Sequence, residues 1–222
     1  MCLILVAWKR HAEFPLAVAA NRDEFHLRPA QRAGFWKDHP GILGGRDLEA
    51  QGTWMGVSRA GCFAAVTNYR GGRDANAKES RGALVANFLV KDLPPEEYVA
   101  SLQPAGFSGF NLLVADRDEL WWLSNRNGGA RKLEPGFYAL GNLLLDTPEV
   151  TAVKSRFERA AFALEPLFAL LATAKILAPG YGTRCSTVLL AQRDGRMQFA
   201  ERAFDPSGAE GSTLRYDFSA IS

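Results

Sequence analysis

A chain of 222 residues, 47% hydrophobic and 23% charged, holds ample material for one core, and a single domain spanning 1–222 is expected. A net charge of +2 with both signs interspersed gives no electrostatic case for nucleic acid or an anionic membrane as partner. No stretch approaches the ~20 apolar residues of a membrane span, and the N-terminal apolar run is too short and lacks a basic flank for a signal peptide.

Leu3 to Trp8 is apolar on both alternating faces, as in a strand covered on both sides. With Pro15 to Ala20 it makes a hairpin around His11-Ala12-Glu13, and Asn21-Arg22-Asp23-Glu24 then ends the second strand with charge. The stretch from Phe25 to Gln51, with Pro29, Pro40 and the Gly44-Gly45 pair, is expected to be a long ordered loop of functional weight. Thr53 to Ser58 and Cys62 to Tyr69 pair around Arg59-Ala60-Gly61. Gly71 to Ser80 is polar. A helix follows over Arg81 to Lys91 with Leu84, Val85, Phe88 and Leu89 on one face, and Glu96 to Leu102 adds a short one. Asn111 to Ala115 and Leu120 to Ser124 form another hairpin, with one of Trp121 and Trp122 in the core. Phe137 to Leu140 is a further strand. A second long helix is expected from Pro148 to about Leu164, capped by Asp146 or Thr147, and another from Pro166 to about Ile176. Thr187 to Gln192 and Met197 to Arg202 close the chain as a hairpin around Asp194-Gly195. About nine strands with helices in two clusters point to an α+β fold, a four-layer αββα sandwich of two stacked antiparallel sheets.

Cys2, Cys62 and Cys185 are an odd number at wide spacing. That argues against a disulfide framework or a metal site and for a reducing cytoplasm. Cys2 stands apart: removal of Met1, expected before so small a residue, would leave one residue carrying a thiol and a free amine. An N-terminal nucleophile can use its own amine as base. Arg22 beside it would favour a thiolate, and Asp23 could hold the ammonium group. Neighbouring strand residues point to opposite faces, so Arg22 and Asp23 share a site only if the strand has already turned. Asn68 and Asn142 each follow an apolar run, where an amide could donate to an oxyanion or simply serve a turn. Arg184-Cys185 opens the last hairpin, with Cys185 a buried filler. No nucleotide-binding glycine motif occurs. His11, His26 and His39 have no metal spacing.

Met1-Cys2, Asn21-Arg22-Asp23-Glu24 with Arg28-Pro29, Gly44-Gly45-Arg46-Asp47, and Gly52-Thr53-Trp54-Met55-Gly56 occur in series. Thr67-Asn68-Tyr69, Gly141-Asn142 and Arg184-Cys185-Ser186-Thr187-Val188 follow them. This ordered set resembles the NRDE family, that of the transport-and-Golgi-organisation protein 2, which is similar to the N-terminal-nucleophile hydrolases. The resemblance implies Cys2 as nucleophile and base, Arg22 beside the thiol and Asp23 orienting the amine. It gives Asn68 and Asn142 substrate-amide and oxyanion contacts, with Asn21 and Arg184 as substrate-binding positions. The implied reaction is cleavage of a non-peptide C–N amide bond in a small-molecule amide or acyl ligand, without a cofactor. The alternative the family allows is a non-catalytic protein that binds and traffics haem or an acyl-CoA or lipid ligand. Nothing in the sequence sets the substrate or the oligomeric state.

Overall fold

The structure, a computed structural model, describes residues 2–71, 74 and 77–220; Met1 and part of the polar segment at 71–80 lie outside these. Along the chain run β1 (Leu3–Trp8), β2 (Leu16–Phe25), β3 (Ala30–Phe35), β4 (Ile42–Asp47), β5 (Met55–Ser58), β6 (Phe63–Asn68), α1 (Arg81–Lys91) and α2 (Pro95–Ser101). Then follow β7 (Phe110–Ala115), β8 (Leu120–Ser124), β9 (Gly129–Lys132), β10 (Gly136–Leu140), α3 (Thr151–Phe157) and α4 (Leu164–Ala172). The chain closes with β11 (Leu177–Ala178), β12 (Tyr181–Ala191), β13 (Arg196–Phe204) and β14 (Glu210–Ser219). The chain forms two compact units, each built on one antiparallel sheet.

The first unit holds the segment up to Arg28, Pro135–Gly141 and Leu145–Ser219. Its sheet runs β10-β1-β2-β12-β13-β14, with β11 against β12. The expected first hairpin is present, in register from Leu3 opposite Asn21 to Trp8 opposite Leu16. All six residues of β1 are buried, as its two-sided apolar pattern requires. Leu3, Leu5 and Ala7 share a core with Phe157 of α3 and with Leu167, Phe168 and Leu171 of α4.

The second unit holds Pro29–Glu134 and Asn142–Leu144. Its sheet takes β3 to β9 in chain order. Ser80 caps α1 by accepting from the Gly82 N–H, and the expected face of Leu84, Val85, Phe88 and Leu89 is buried against Ala64, Leu112 and Val114. Trp122 is buried, and Trp121, half-buried, packs against the core that α1 covers. The Gly52 motif also belongs to packing. A Cβ on Gly52 would fall on the Gly82 backbone, where the Thr53 N–H donates to the Gly82 carbonyl at 3.2 Å. A Cβ on Gly44 would stand 2.7 Å from the Met55 carbonyl oxygen.

Several elements differ from expectation. β2 does not end at Asn21 but continues to Phe25, because β12 starts at Tyr181 and pairs with that whole stretch. The loop expected over 25–51 contains β3 and β4, whose period is blurred by glycine and by a bulge between Gln31 and Gly34. The helix expected to reach Leu164 stops at Phe157. Phe157 and Phe162 would lie ~140° apart on a continuous helix, yet their rings meet at 5.3 Å and Phe137 adds an edge at 6.2 Å from Phe157. Neither Asp146 nor Thr147 caps that helix through its side chain; Asp146 instead accepts from the Ala139 N–H of β10 at 2.9 Å. β9 and β11 carry no strong apolar alternation, whereas β14 alternates over Leu214, Tyr216 and Phe218 and is a further strand beyond the expected closing hairpin.

Gly52→Ala should destabilise the protein by about 1–3 kcal/mol, because the intruding atom meets backbone rather than a movable side chain. Denaturant unfolding followed by circular dichroism checks this.

Candidate functional site

The extension of β2 against β12 builds the chemical part of the first unit. Leu3 stands opposite Asn21, so Cys2, one residue earlier, comes level with Arg22. On the other side of β2, Asp23 pairs with Thr183 and Arg22 with Cys185. Arg184 is therefore the extra residue of a β-bulge. A bulge adds local twist and re-aims side chains. Its effect falls on β12, where Thr183 and Cys185 become the separate partners of Asp23 and Arg22.

Asn21, Arg22 and Asp23 are buried, with 2%, 6% and 3% of their surface exposed, which makes them costly unless paired. The Thr183 hydroxyl donates to Asp23 Oδ1 at 2.5 Å and itself accepts from the Ile176 N–H at 2.9 Å. The Arg22 guanidinium lies 3.8 Å from the Glu24 carboxylate, which lies equally far from Arg28. The Cys2 thiol, partly exposed, donates to the Asp23 backbone carbonyl at 3.4 Å. Burial above all, and then the Asp23 carboxylate, push this thiol up to about 11, with the Arg22 charge acting the other way. The sulfur thus rests protonated near neutral pH: Arg22 acts in the direction that favours a thiolate, but one cation does not outweigh burial and a carboxylate.

The remaining candidates divide between the units. The Asn21 amide accepts from Ser186 Oγ at 2.6 Å and donates to the Leu171 carbonyl at 3.0 Å, which ties β2 to β12 and α4. Arg184 donates from Nη1 to the carbonyls of Phe25 at 2.9 Å and Arg28 at 3.1 Å, clipping the turn after β2. Cys185 is buried, its thiol pushed well up by burial and by the Glu201 carboxylate. In the second unit, Asn142 Nδ2 donates to the Asn68 carbonyl at 2.7 Å, and the Arg70 N–H returns to the Asn142 carbonyl at 2.6 Å. The structure thus gathers Cys2, Asn21, Arg22, Asp23 and Arg184 in one unit and joins Asn68 to Asn142 in the other. Thr183 escaped sequence reasoning, since only strand register puts it on Asp23.

The Transport and Golgi organisation 2 family matches residues 1–165, three quarters of the chain. The chain belongs to that family. Its relatives include the Transport and Golgi organization protein 2 homolog of Bos taurus, 34% identical over 91% of this chain and 92% of its own length. The Homo sapiens homolog is 31% identical, covering 92% of each. Among solved structures, the Caenorhabditis elegans N-acylethanolamine-hydrolyzing acid amidase ortholog superposes with a TM-score of 0.60 at 14% identity, covering 85% of this chain and 92% of that one. The mutant C2A conjugated bile acid hydrolase from Clostridium perfringens gives 0.51 at 11% identity, covering 99% and 98%. At these identities the likeness shows the fold, which is that of the N-terminal-nucleophile hydrolases. Cys2, Asn21 to Glu24, Asn68 and Asn142 fall inside the family match, and Arg184 falls beyond it. Among the described residues no helix is long and apolar enough to cross a membrane.

Two outcomes follow for this site. Asn21→Ala should cost about 1–3 kcal/mol of stability, by leaving Ser186 and the Leu171 carbonyl without their buried partner, as read by chemical denaturation. Asp23→Asn removes a negative charge that disfavours the thiolate, so the pH midpoint for iodoacetamide alkylation of Cys2 should fall below the wild-type value by about one unit.

Proposed function

We propose that this chain is a cysteine N-terminal-nucleophile hydrolase that cleaves a non-peptide amide bond through an acyl-enzyme, in the cytoplasm. The observation that carries the reading is the convergence of the Cys2 thiol, Arg22 and Asp23 at the β1–β2–β12 junction, in a chain with the fold of such hydrolases. In the proposed reaction Met1 is removed first, so that Cys2 bears a free α-amine with an ordinary pKa near 7.7–8.0. The sulfur attacks the substrate carbonyl while that amine takes the thiol proton. A neutral resting thiol fits this route, because the proton leaves as the S–C bond forms and no standing thiolate is needed.

Asp23, held by Thr183, would stabilise the ammonium so formed. Arg22 would offset the negative charge that develops near sulfur. The ammonium proton then passes to the departing nitrogen as the C–N bond breaks, and water releases the acid from the thioester. The resemblance assigns the amides of Asn68 and Asn142 to the oxyanion and the substrate amide, and we retain that assignment within the proposal. Asn21 and Arg184 enter it as residues that position β2 and its turn, which their hydrogen bonds support. The solved relatives named above are an N-acylethanolamine-hydrolysing amidase and a bile acid hydrolase, which support an acyl amide as the substrate class.

The test is a screen of acyl amides with the processed protein beside Cys2→Ala. Turnover should fall by at least ~10³-fold in that variant and by roughly 10²-fold in Asn142→Ala. Intact mass should show Met1 absent. Turnover that survives Cys2→Ala, or activity in protein that retains Met1, sinks the mechanism.

A further inference from the structure

Tyr181 opens β12 directly opposite Phe25, at the end of the segment that β2 and β12 share. Its hydroxyl donates to the Asp23 backbone carbonyl at 3.1 Å. That is the same oxygen to which the Cys2 thiol donates at 3.4 Å. One carbonyl oxygen has two lone pairs and can take both donors, so thiol and phenol are neighbours across a single acceptor. The ring is held edge-on by Phe25, with centroids 5.3 Å apart, and Phe25 is largely exposed. The phenol is thereby fixed in place while its O–H remains a rotor.

We propose that Tyr181 is a positioning residue of the Cys2 site, whose hydroxyl stabilises the sulfur as it gives up its proton. The thiol donates to the Asp23 carbonyl only while it holds its proton. Once the proton leaves, the sulfur faces the carbonyl oxygen with no hydrogen between them, and the two negative ends repel. The Tyr181 O–H answers this in either of its orientations. Kept on the carbonyl, it draws off part of that oxygen's negative charge; turned to the sulfur, it donates to the anion directly. Burial, and the negative charge available at Cys2, Asp23 and Glu24, push the phenol's own proton affinity up, so it remains a donor across the working pH range.

The charged groups around the thiol come from two strands. Asp23 on β2 opposes its ionisation, Arg22 on β2 favours it, and Glu24 lies 3.8 Å from Arg22 and raises the phenol. β12 brings Tyr181, together with Cys185, which lies level with Arg22 and beside Glu201 of β13. The processed chain adds the α-amine of Cys2 itself.

The inference rests on Cys2 being the reactive residue, and its test needs no turnover. Iodoacetamide alkylation of Cys2, in which the thiolate sulfur displaces iodide, is followed against pH by the mass of the N-terminal peptide; this separates it from Cys62 and Cys185. Tyr181→Phe keeps the ring and removes only the hydroxyl, so its midpoint should rise by about one unit, a roughly tenfold slower reaction at any fixed pH below it. Placing 3-fluorotyrosine at 181 makes a stronger donor and should move the midpoint below the wild-type value. Phe25→Leu, which alters the ring packing but no donor, should leave it where it is. Midpoints that coincide in wild type, Tyr181→Phe and the fluorotyrosine protein overturn the inference. So does a shift in Phe25→Leu as large as that in Tyr181→Phe, because packing alone would then account for it. Shifted midpoints in a protein that cleaves no amide leave Tyr181 in its role and remove the hydrolase reading; unmoved midpoints in an active enzyme do the reverse.

Discussion

The pairing of β2 with β12 is the constraint on which the first unit depends. Ten residues of β2 lie against β12, and the pairing slips by one residue at Arg184. That slip sets Thr183 on Asp23 and Cys185 on Arg22. β2 itself stays regular there, so the arginine and the aspartate keep the alternation of a strand, and the slip in β12 gives each its own partner. Without β12, the buried Asp23 carboxylate and Asn21 amide would lack the Thr183 and Ser186 hydroxyls that make their burial tolerable. The backbone defect and the buried charges are therefore one feature seen at two levels, register and electrostatics.

The same arrangement sets the state of the sulfur. Burial outweighs the single cation, so Cys2 rests as a thiol and must lose its proton in the act of bonding. Cys62 is likewise pushed up to about 11 by burial, and Cys185 is raised by burial too, so a raised thiol does not by itself mark a reactive one. What separates Cys2 is its partial exposure and its hydrogen bond to a backbone carbonyl flanked by charge, whereas Cys62 and Cys185 are enclosed within their units. Their role is packing, which is the role the sequence suggested for Cys185.

The glycine-rich motifs of the second unit do a different kind of work. Gly44 and Gly52 sit where backbone meets backbone with no room for a Cβ, and the Trp36 indole N–H donates to the Gly44 carbonyl at 3.0 Å. Their recurrence along the chain records close packing of β4, β5 and α1, and no chemistry need be assigned to them. Asn68 and Asn142 illustrate the opposite case: residues that look like ordinary turn formers are joined by a hydrogen bond between segments 74 positions apart.

Elements whose patterns are local were legible from residue spacing alone. The two-sided apolar runs of β1 and β7, the amphipathic face of α1 and the tight hairpin turns follow from spacing, because each is fixed by neighbours a few residues away. The ordered motifs likewise singled out Cys2, Arg22 and Asp23. Tertiary structure decided what depends on distant partners. β2 runs on through four polar residues only because β12 supplies their hydrogen bonds, and α3 stops at Phe157 because Phe162 must return to the same aromatic cluster. Thr183 and Tyr181 reach Asp23 from about 160 residues away through strand register, a quantity that no local pattern carries.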